Sequence, residues 1–255
     1  MGPWSHFTAC AALLEWGMQR RGEYERIRLA LARSAHFAAL GPAMLDRLAA
    51  LGQLRHARHG ERLGRADTVD ENLWIVVSGA VRISTRPHSS RKEAVHAVLG
   101  DGSYFGLANA VGSGPHTFDA RAFGPSDIAV IDGRRLAPIL EQYPTLWRYV
   151  TRLMAQRLKL LLGIMEDNRL LPLAERTARR LLGHAASSEY AVGAQPTLRM
   201  TQQDLARMLD AGRSRTNTAL KRMETQGLVR TGYRTITLLD VEALRRLAGD
   251  GIVAF

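Results

Sequence analysis

A chain of 255 residues, 46% of them hydrophobic, has material for one large domain or two of ordinary size, which excludes a disordered chain. A formal charge of +11 and an isoelectric point near 10.7 point to partners that carry phosphate: nucleic acid, an anionic membrane or a nucleotide. Cys10 is the single cysteine, so an internal disulfide and any four-thiolate zinc or iron-sulfur site within one chain are excluded, and a reducing compartment is expected.

The opening, MGPWSHFTACAALLEWGMQRR, has no cationic segment ahead of its short apolar run. No apolar stretch approaches the roughly 20 residues that a membrane span needs. A cytoplasmic protein is expected. Residues 4 to about 50 carry helical spacing through Leu13, Leu14, Met18, Ile27 and Leu31, and GPAMLDRLAALG sets Pro42 near a helix start and Gly52 past its end. From about residue 53 the texture changes to short runs separated by turn residues: LWIVVSG (73–79), AVRIS (80–84), AVHAVLG (94–100), FDARAFG (118–124) and IAVIDG (128–133). Runs of this length predict an antiparallel sandwich or barrel rather than βαβ units.

Helical spacing returns after Gly133, and TLWRYVTRLMAQRLKLLLGIMEDN runs to residue 168 without a proline. Within it Trp147, Val150, Met154, Leu158, Leu161 and Met165 follow at steps of three and four, a stripe that would suit a partner helix or the chain's own sandwich. A domain boundary is expected near 168–172.

The stretch TQQDLARMLDAGRSRTNTALKRMETQGLV reads as two helices. Thr201 is a plausible N-cap with Asp204 three residues on, a weakened capping box, and Leu205, Ala206 and Leu209 form the first helix's buried side. Asp210-Ala211-Gly212 is the turn. The second helix turns Thr216, Ala219, Leu220 and Met223 inward and Ser214, Thr218, Lys221 and Thr225 outward. From Arg199 to Arg234 eight cations face three acids, so the positive charge is local as well as global. A short helix, a tight turn and a second helix offering Arg, Ser, Asn and Thr make a helix-turn-helix, whose second helix enters the major groove. Arg can bridge guanine O6 and N7, Asn can read adenine, and Lys and Thr suit phosphates. The expected DNA-facing residues are Thr201, Gln202, Arg213, Ser214, Arg215, Asn217, Thr218 and Lys221. After Gly227, LVRTGYRTITLL predicts a hairpin turning at Thr231-Gly232, a wing with Arg230 and Arg234 near the DNA backbone.

These residues resemble the Crp/Fnr family of bacterial transcription regulators over nearly all of 36–247, most strongly in TQQDLARMLDAGRSRTNTALKRMETQGLV and in LWIVVSGAVRI. Together with an N-terminal extension read from helical spacing, the resemblance implies an α+β chain in four parts. Residues 1–35 are an N-terminal helical extension, 36–143 an antiparallel β jelly roll of the cyclic-nucleotide-binding type that acts as sensor, 144–168 a dimerisation helix and 169–255 a winged helix-turn-helix. It implies a homodimer on an inverted repeat of double-stranded DNA, RNA polymerase as a further partner, and a base contact by Arg213. Two departures in the DNA-reading part are Asp210, where the family's turn usually has glycine, and Ser214, where many relatives carry glutamate.

The sensor half departs further. Cyclic-AMP-binding relatives hold the ribose with Gly-Glu-Leu and the phosphate with an Arg-Ser pair; this chain has Gly106-Leu107-Ala108 and His116-Thr117 at those places. Leu107 cannot accept a ribose hydroxyl and His116 is a pH-dependent substitute for a guanidinium, so an effector other than cyclic AMP, or none, is expected. Leu161 and Leu162 stand where those relatives offer hydroxyls to the adenine. Haem would find axial ligands in His and Met, yet the eight histidines form no compelling site. The competing reading is a metal-dependent cupin-like enzyme with a basic interaction module. HARHGE (His56, His59, Glu61) is its loosest support, and residues three apart on a strand face opposite sides.

Overall fold

The structure, a computed structural model, describes residues 20–86, 92–112, 114–187 and 195–249; the helical expectation at Leu13, Leu14 and Met18 lies outside them. Helix α1 (residues 20–33) buries Ile27 and Leu31 completely, and the two pack with Leu73 and Ile75 of the sandwich. The described part of the N-terminal extension is therefore a layer of the sandwich's own core. Pro42 opens α2 (Pro42–Leu51), where its missing N–H costs nothing, and Gly52 caps it.

Eight strands follow: β1 (Gln53–Ala57), β2 (Arg62–Gly64), β3 (Asn72–Ser78), β4 (Val81–Thr85), β5 (Ala94–Leu99), β6 (Tyr104–Phe105), β7 (Asp119–Ala122) and β8 (Ser126–Asp132). They form two antiparallel sheets with orders β1-β8-β3-β6 and β2-β7-β4-β5, the strand order of a jelly roll. In β3 Trp74 and Val76 point between the sheets while Leu73 and Ile75 point to the helical layer, which is why LWIVV reads as an unbroken apolar run. Three strands, β1, β2 and β6, carry too few apolar residues to stand out in the sequence.

A four-residue helix α3 (Leu107–Ala110) follows β6, and α4 (Gly133–Gln142) leads into α5 (Pro144–Leu170), the 27-residue helix. Leu146, Leu153 and Leu160, seven apart, are buried, the first two in the core cluster of the helical layer and Leu160 in that of the sandwich. The opposite face leaves Trp147, Leu158, Leu161, Leu162 and Met165 exposed, each by 42–59%. The expected stripe divides here. At 100° per residue its six members stay within about 80° of one another, and on that stripe Val150 and Met154 pack partly against the chain's own core.

The C-terminal unit comprises α6 (Leu173–Ser187), β9 (Thr197–Arg199), α7 (Gln202–Met208), α8 (Arg213–Thr225), β10 (Val229–Gly232), β11 (Thr235–Leu238) and α9 (Val241–Ala248), with a small sheet ordered β10-β11-β9. Its core gathers Leu181, Leu205, Leu209, Leu220, Met223, Ile236, Leu238 and Leu244, all nearly or wholly inaccessible. The wing turns two residues later than the sequence suggests. Gly232 pairs with Thr235, so Tyr233 and Arg234 are the turn and Arg234 takes the left-handed backbone, φ 54°. Gly232 is required for a different reason: a Cβ there would sit 2.6 Å from Thr235 Oγ1.

Candidate nucleic-acid interface

Two helices and one turn set the interface. Thr201 caps α7 with both arms of a capping box: its Oγ1 accepts the Asp204 amide at 2.9 Å, and its own amide donates to Asp204 Oδ2 at 3.2 Å. The shorter Asp side chain thus closes a box usually completed by Glu or Gln. At the turn Asp210 adopts φ 46°, and the Ala211 amide reaches back to the Ala206 carbonyl at 3.0 Å. Gly212 then caps α8 in extended conformation. A left-handed backbone costs an L-residue roughly 1–2 kcal/mol, and Asp bears it better than most. Asp210→Gly should therefore hold or slightly raise the thermal midpoint, while Asp210→Val should lower stability by about 1–2 kcal/mol in denaturant titration.

Burial of Thr216, Leu220 and Met223 fixes the rotation of α8. Arg213, Ser214, Arg215, Thr218, Lys221 and Arg222 are exposed as a result, and among the described residues none of the four cations is held in an ion pair. Arg213 occupies the first turn. Thr218 donates its hydroxyl to the Ser214 carbonyl at 3.1 Å, which holds that side chain along its own helix. Asn217 departs from the expectation of a reading residue: it is half-buried, and its Oδ1 is enclosed without a hydrogen bond. Thr201 and Gln202 are half-exposed at the start of α7.

Two of the cations counted with this unit lie elsewhere. Arg207 donates to Glu93 just ahead of β5, and the Arg234 guanidinium lies 5.6 Å from the Phe123 ring centroid and 3.2 Å from His59 Nε2. The expected place of Arg234 beside the DNA backbone is not the one it takes here.

The expected effector residues differ in their surroundings. Gly106 caps α3 in left-handed conformation, and Leu107 is buried in the core of the helical layer, with Ala108 half-buried beside it. His116 is 1% exposed; its ring nitrogens make no hydrogen bond, and Nε2 stands 3.5 Å from Asp70 Oδ2. Thr117 is exposed. Two cavities instead lie where the jelly roll meets the C-terminal unit, and none of these five residues lines either. One, of about 280 Å3, is bordered by Gly79, Val98, Asp101, Arg199 and Met200. The other, of about 220 Å3, is bordered by His96, Arg157, Leu161, Arg180, Arg207 and Asp210. Burial lowers Arg180 to about 10 and acts on Arg157 in the same direction, so this second cavity has cationic walls held partly out of water. Apart from Leu161, sequence reading missed it because its lining comes from strand, long helix and turn segments spread over residues 94–210.

Nothing in the described residues gathers three or more metal-ligating side chains. His56 pairs with Asp127, His59 Nδ1 accepts the Gly124 amide at 2.9 Å, and Glu61 accepts from Arg55 and from the Arg58 amide, so HARHGE points three ways.

Comparison with known proteins agrees with this architecture. A family model described as a cyclic nucleotide-binding domain matches residues 54–143, and one described as a Crp-like helix-turn-helix domain matches residues 175–247. The chain belongs to the Crp/Fnr family of transcriptional regulators. Among Crp/Fnr relatives, the HTH-type transcriptional regulator Cmr of Mycobacterium tuberculosis is 26% identical over 225 residues, 86% of each chain. The CRP-like cAMP-activated global transcriptional regulator of the same organism is 24% identical over 220 residues, 86% of this chain and 98% of that one. The structure of FixK2 from Bradyrhizobium japonicum matches the fold with a TM-score of 0.68 at 24% identity, covering 78% of this chain and 98% of that one. Membership of a DNA-binding regulator family decides against the cupin-like enzyme. No helix of the described residues is long and apolar enough to cross a membrane.

Proposed function

We propose that this Crp/Fnr-family chain is a sequence-specific regulator that binds an inverted repeat of double-stranded DNA as a homodimer. The observation that carries the reading is the outward face of α8, where Arg213, Ser214, Arg215, Thr218 and Lys221 stand exposed on a helix locked in place by its buried side. Arg213 bridges a guanine edge; Lys221 and Arg215 serve phosphates or flanking bases, and Thr201 and Gln202 meet the backbone from α7. Asn217 joins them once its amide swings outward. The exposed apolar face of α5 (Trp147, Leu158, Leu161, Leu162, Met165) is the dimer seam, since a patch of that kind on a basic, water-soluble surface calls for a partner. A two-fold axis there presents the two α8 helices to successive major grooves, about 34 Å apart.

The effector is a small molecule other than cyclic AMP. Leu107 lies in the core and offers no acceptor, and His116 is sealed from solvent, so the polar groups that would hold ribose and phosphate are missing at those places. The activation by cAMP named for the mycobacterial relative is not carried over. RNA polymerase in the cytoplasm is the further partner of such a regulator. In about 0.15 M salt, where nonspecific phosphate binding is weak, the protein should retard a small subset of genomic restriction fragments. Retardation of all fragments alike, or of none, would refute sequence-specific binding.

A further inference from the structure

We propose that Arg82, Glu93, Asp204 and Arg207 form an ionic latch that docks the DNA-binding unit on its own jelly roll, and that the latch must release for the wing to engage DNA. The inference rests on the DNA-binding reading above and adds a control device to it.

The latch spans the two units. Arg82, on β4, donates Nη1 and Nη2 to the two carboxylate oxygens of Glu93 at 2.7 and 2.8 Å, and its Nε to Asp204 Oδ1 on α7 at 2.8 Å. Arg207, one turn along α7, donates to the same Glu93 carboxylate. Arg82 and Arg207 thus meet Glu93 and Asp204, with the more exposed Arg86 standing 3.8 Å from Glu93 as a third cation, and every nitrogen of the Arg82 fork is engaged. The side chains of Arg82, Glu93 and Asp204 are only 14%, 13% and 6% exposed, so these charges have left most of their water. Hydrogen bonding to Arg82 holds the Glu93 carboxyl down at about 2, so it is ionised at any physiological pH.

A dry ion network contributes little net stability, because desolvation offsets attraction, yet it is intolerant of losing one member. Within a single core, such a loss unfolds the protein. Across an interface between two units, undocking rehydrates the stranded charge, so the same loss opens the interface instead.

The wing provides the second observation. Arg234 lies over Phe123 and beside His59 of the jelly roll. The Gly124 amide occupies His59 Nδ1, so the neutral ring carries its proton on Nε2 and the guanidinium is held chiefly by the aromatic face. Ala80, Val95, Val98 and Phe123 of the jelly roll also join the apolar core of the C-terminal unit. A guanidinium packed on Phe123 cannot sit on a phosphate, whereas α8 keeps its outward face free. The latched chain therefore reads DNA with α8 alone, and release adds the wing.

The test uses the full-length protein and Glu93→Gln, which removes the charge shared by Arg82 and Arg207 without altering a DNA-facing element. Fluorescence anisotropy on a selected duplex should show binding tighter by about fivefold or more, the scale of ordinary coupling between sites. Amide hydrogen exchange over α7 and over residues 229–238 should speed up in the variant without DNA. Arg82→Met, which keeps the apolar stem, repeats both measurements if Glu93→Gln fails to fold. Unchanged or weaker affinity in a folded variant overturns the latch, as does exchange identical to the unmodified chain. An unmodified chain that binds no duplex selectively overturns the DNA-binding reading instead, and the exchange measurement then decides the latch alone.

Discussion

Arg213→Ala is expected to weaken binding to a selected duplex by about 1–3 kcal/mol and to relax base preference at one step of each half-site, since a bidentate Arg–guanine contact carries that much discrimination. The effect should fall on specificity. Arg213 is exposed in the first turn of α8, away from the buried Thr216, Leu220 and Met223, so its removal leaves the helix in place. A phosphate contact behaves differently: Lys221→Ala should weaken all duplexes alike and reduce the slope of log affinity against log salt by about one. If the Arg213→Ala protein separates the selected duplex from its scrambled counterpart as well as the unmodified protein does, Arg213 reads no base.

Leu158→Glu combined with Leu161→Glu should convert the protein to a monomer in analytical ultracentrifugation and abolish binding to the inverted repeat. The two leucines are 59% and 49% exposed, so a single folded chain loses little by the change. Buried at a two-fold seam, each would contribute roughly 1.5–3 kcal/mol, and a glutamate in its place brings like charges together across the axis. Thermal unfolding of the isolated chain serves as the control. A double variant that sediments as the unmodified protein does would move the dimer contact off α5.

The parts of the molecule that could be read from the chain were those set by neighbours in sequence. The spacing of Leu205, Leu209, Leu220 and Met223 reports a local two-helix core, and its prediction matches the burial seen. β3 and β8 declare themselves by apolar runs because helices cover one face and the second sheet the other, whereas β4, β5 and β7 carry polar residues within them and show as short segments bounded by turn residues. β1, β2 and β6 are short or half-polar and lean on partners distant in sequence, so nothing local marks them. The wing shows the limit of turn rules: Thr231-Gly232 has the composition of a turn, but the close approach of Thr235 claims the glycine and Arg234 absorbs the left-handed conformation. At the interface the outward residues of α8 followed from helical periodicity, whereas the enclosure of Asn217 Oδ1 is a matter of tertiary packing that periodicity does not report. The pairing of Arg82 and Glu93 with Asp204 and Arg207 joins residues more than a hundred positions apart, and a charged residue within AVRIS was its single trace in the sequence.

Selection of bound DNA from a random pool by the full-length protein, at about 0.15 M salt, tests most directly whether two copies of α8 read a defined sequence. The expected result is an inverted repeat whose half-site centres lie about 10–10.5 base pairs apart, or a multiple of that spacing. A pool that keeps its random composition, or that yields one unrepeated half-site, would contradict the homodimeric, sequence-reading regulator described above.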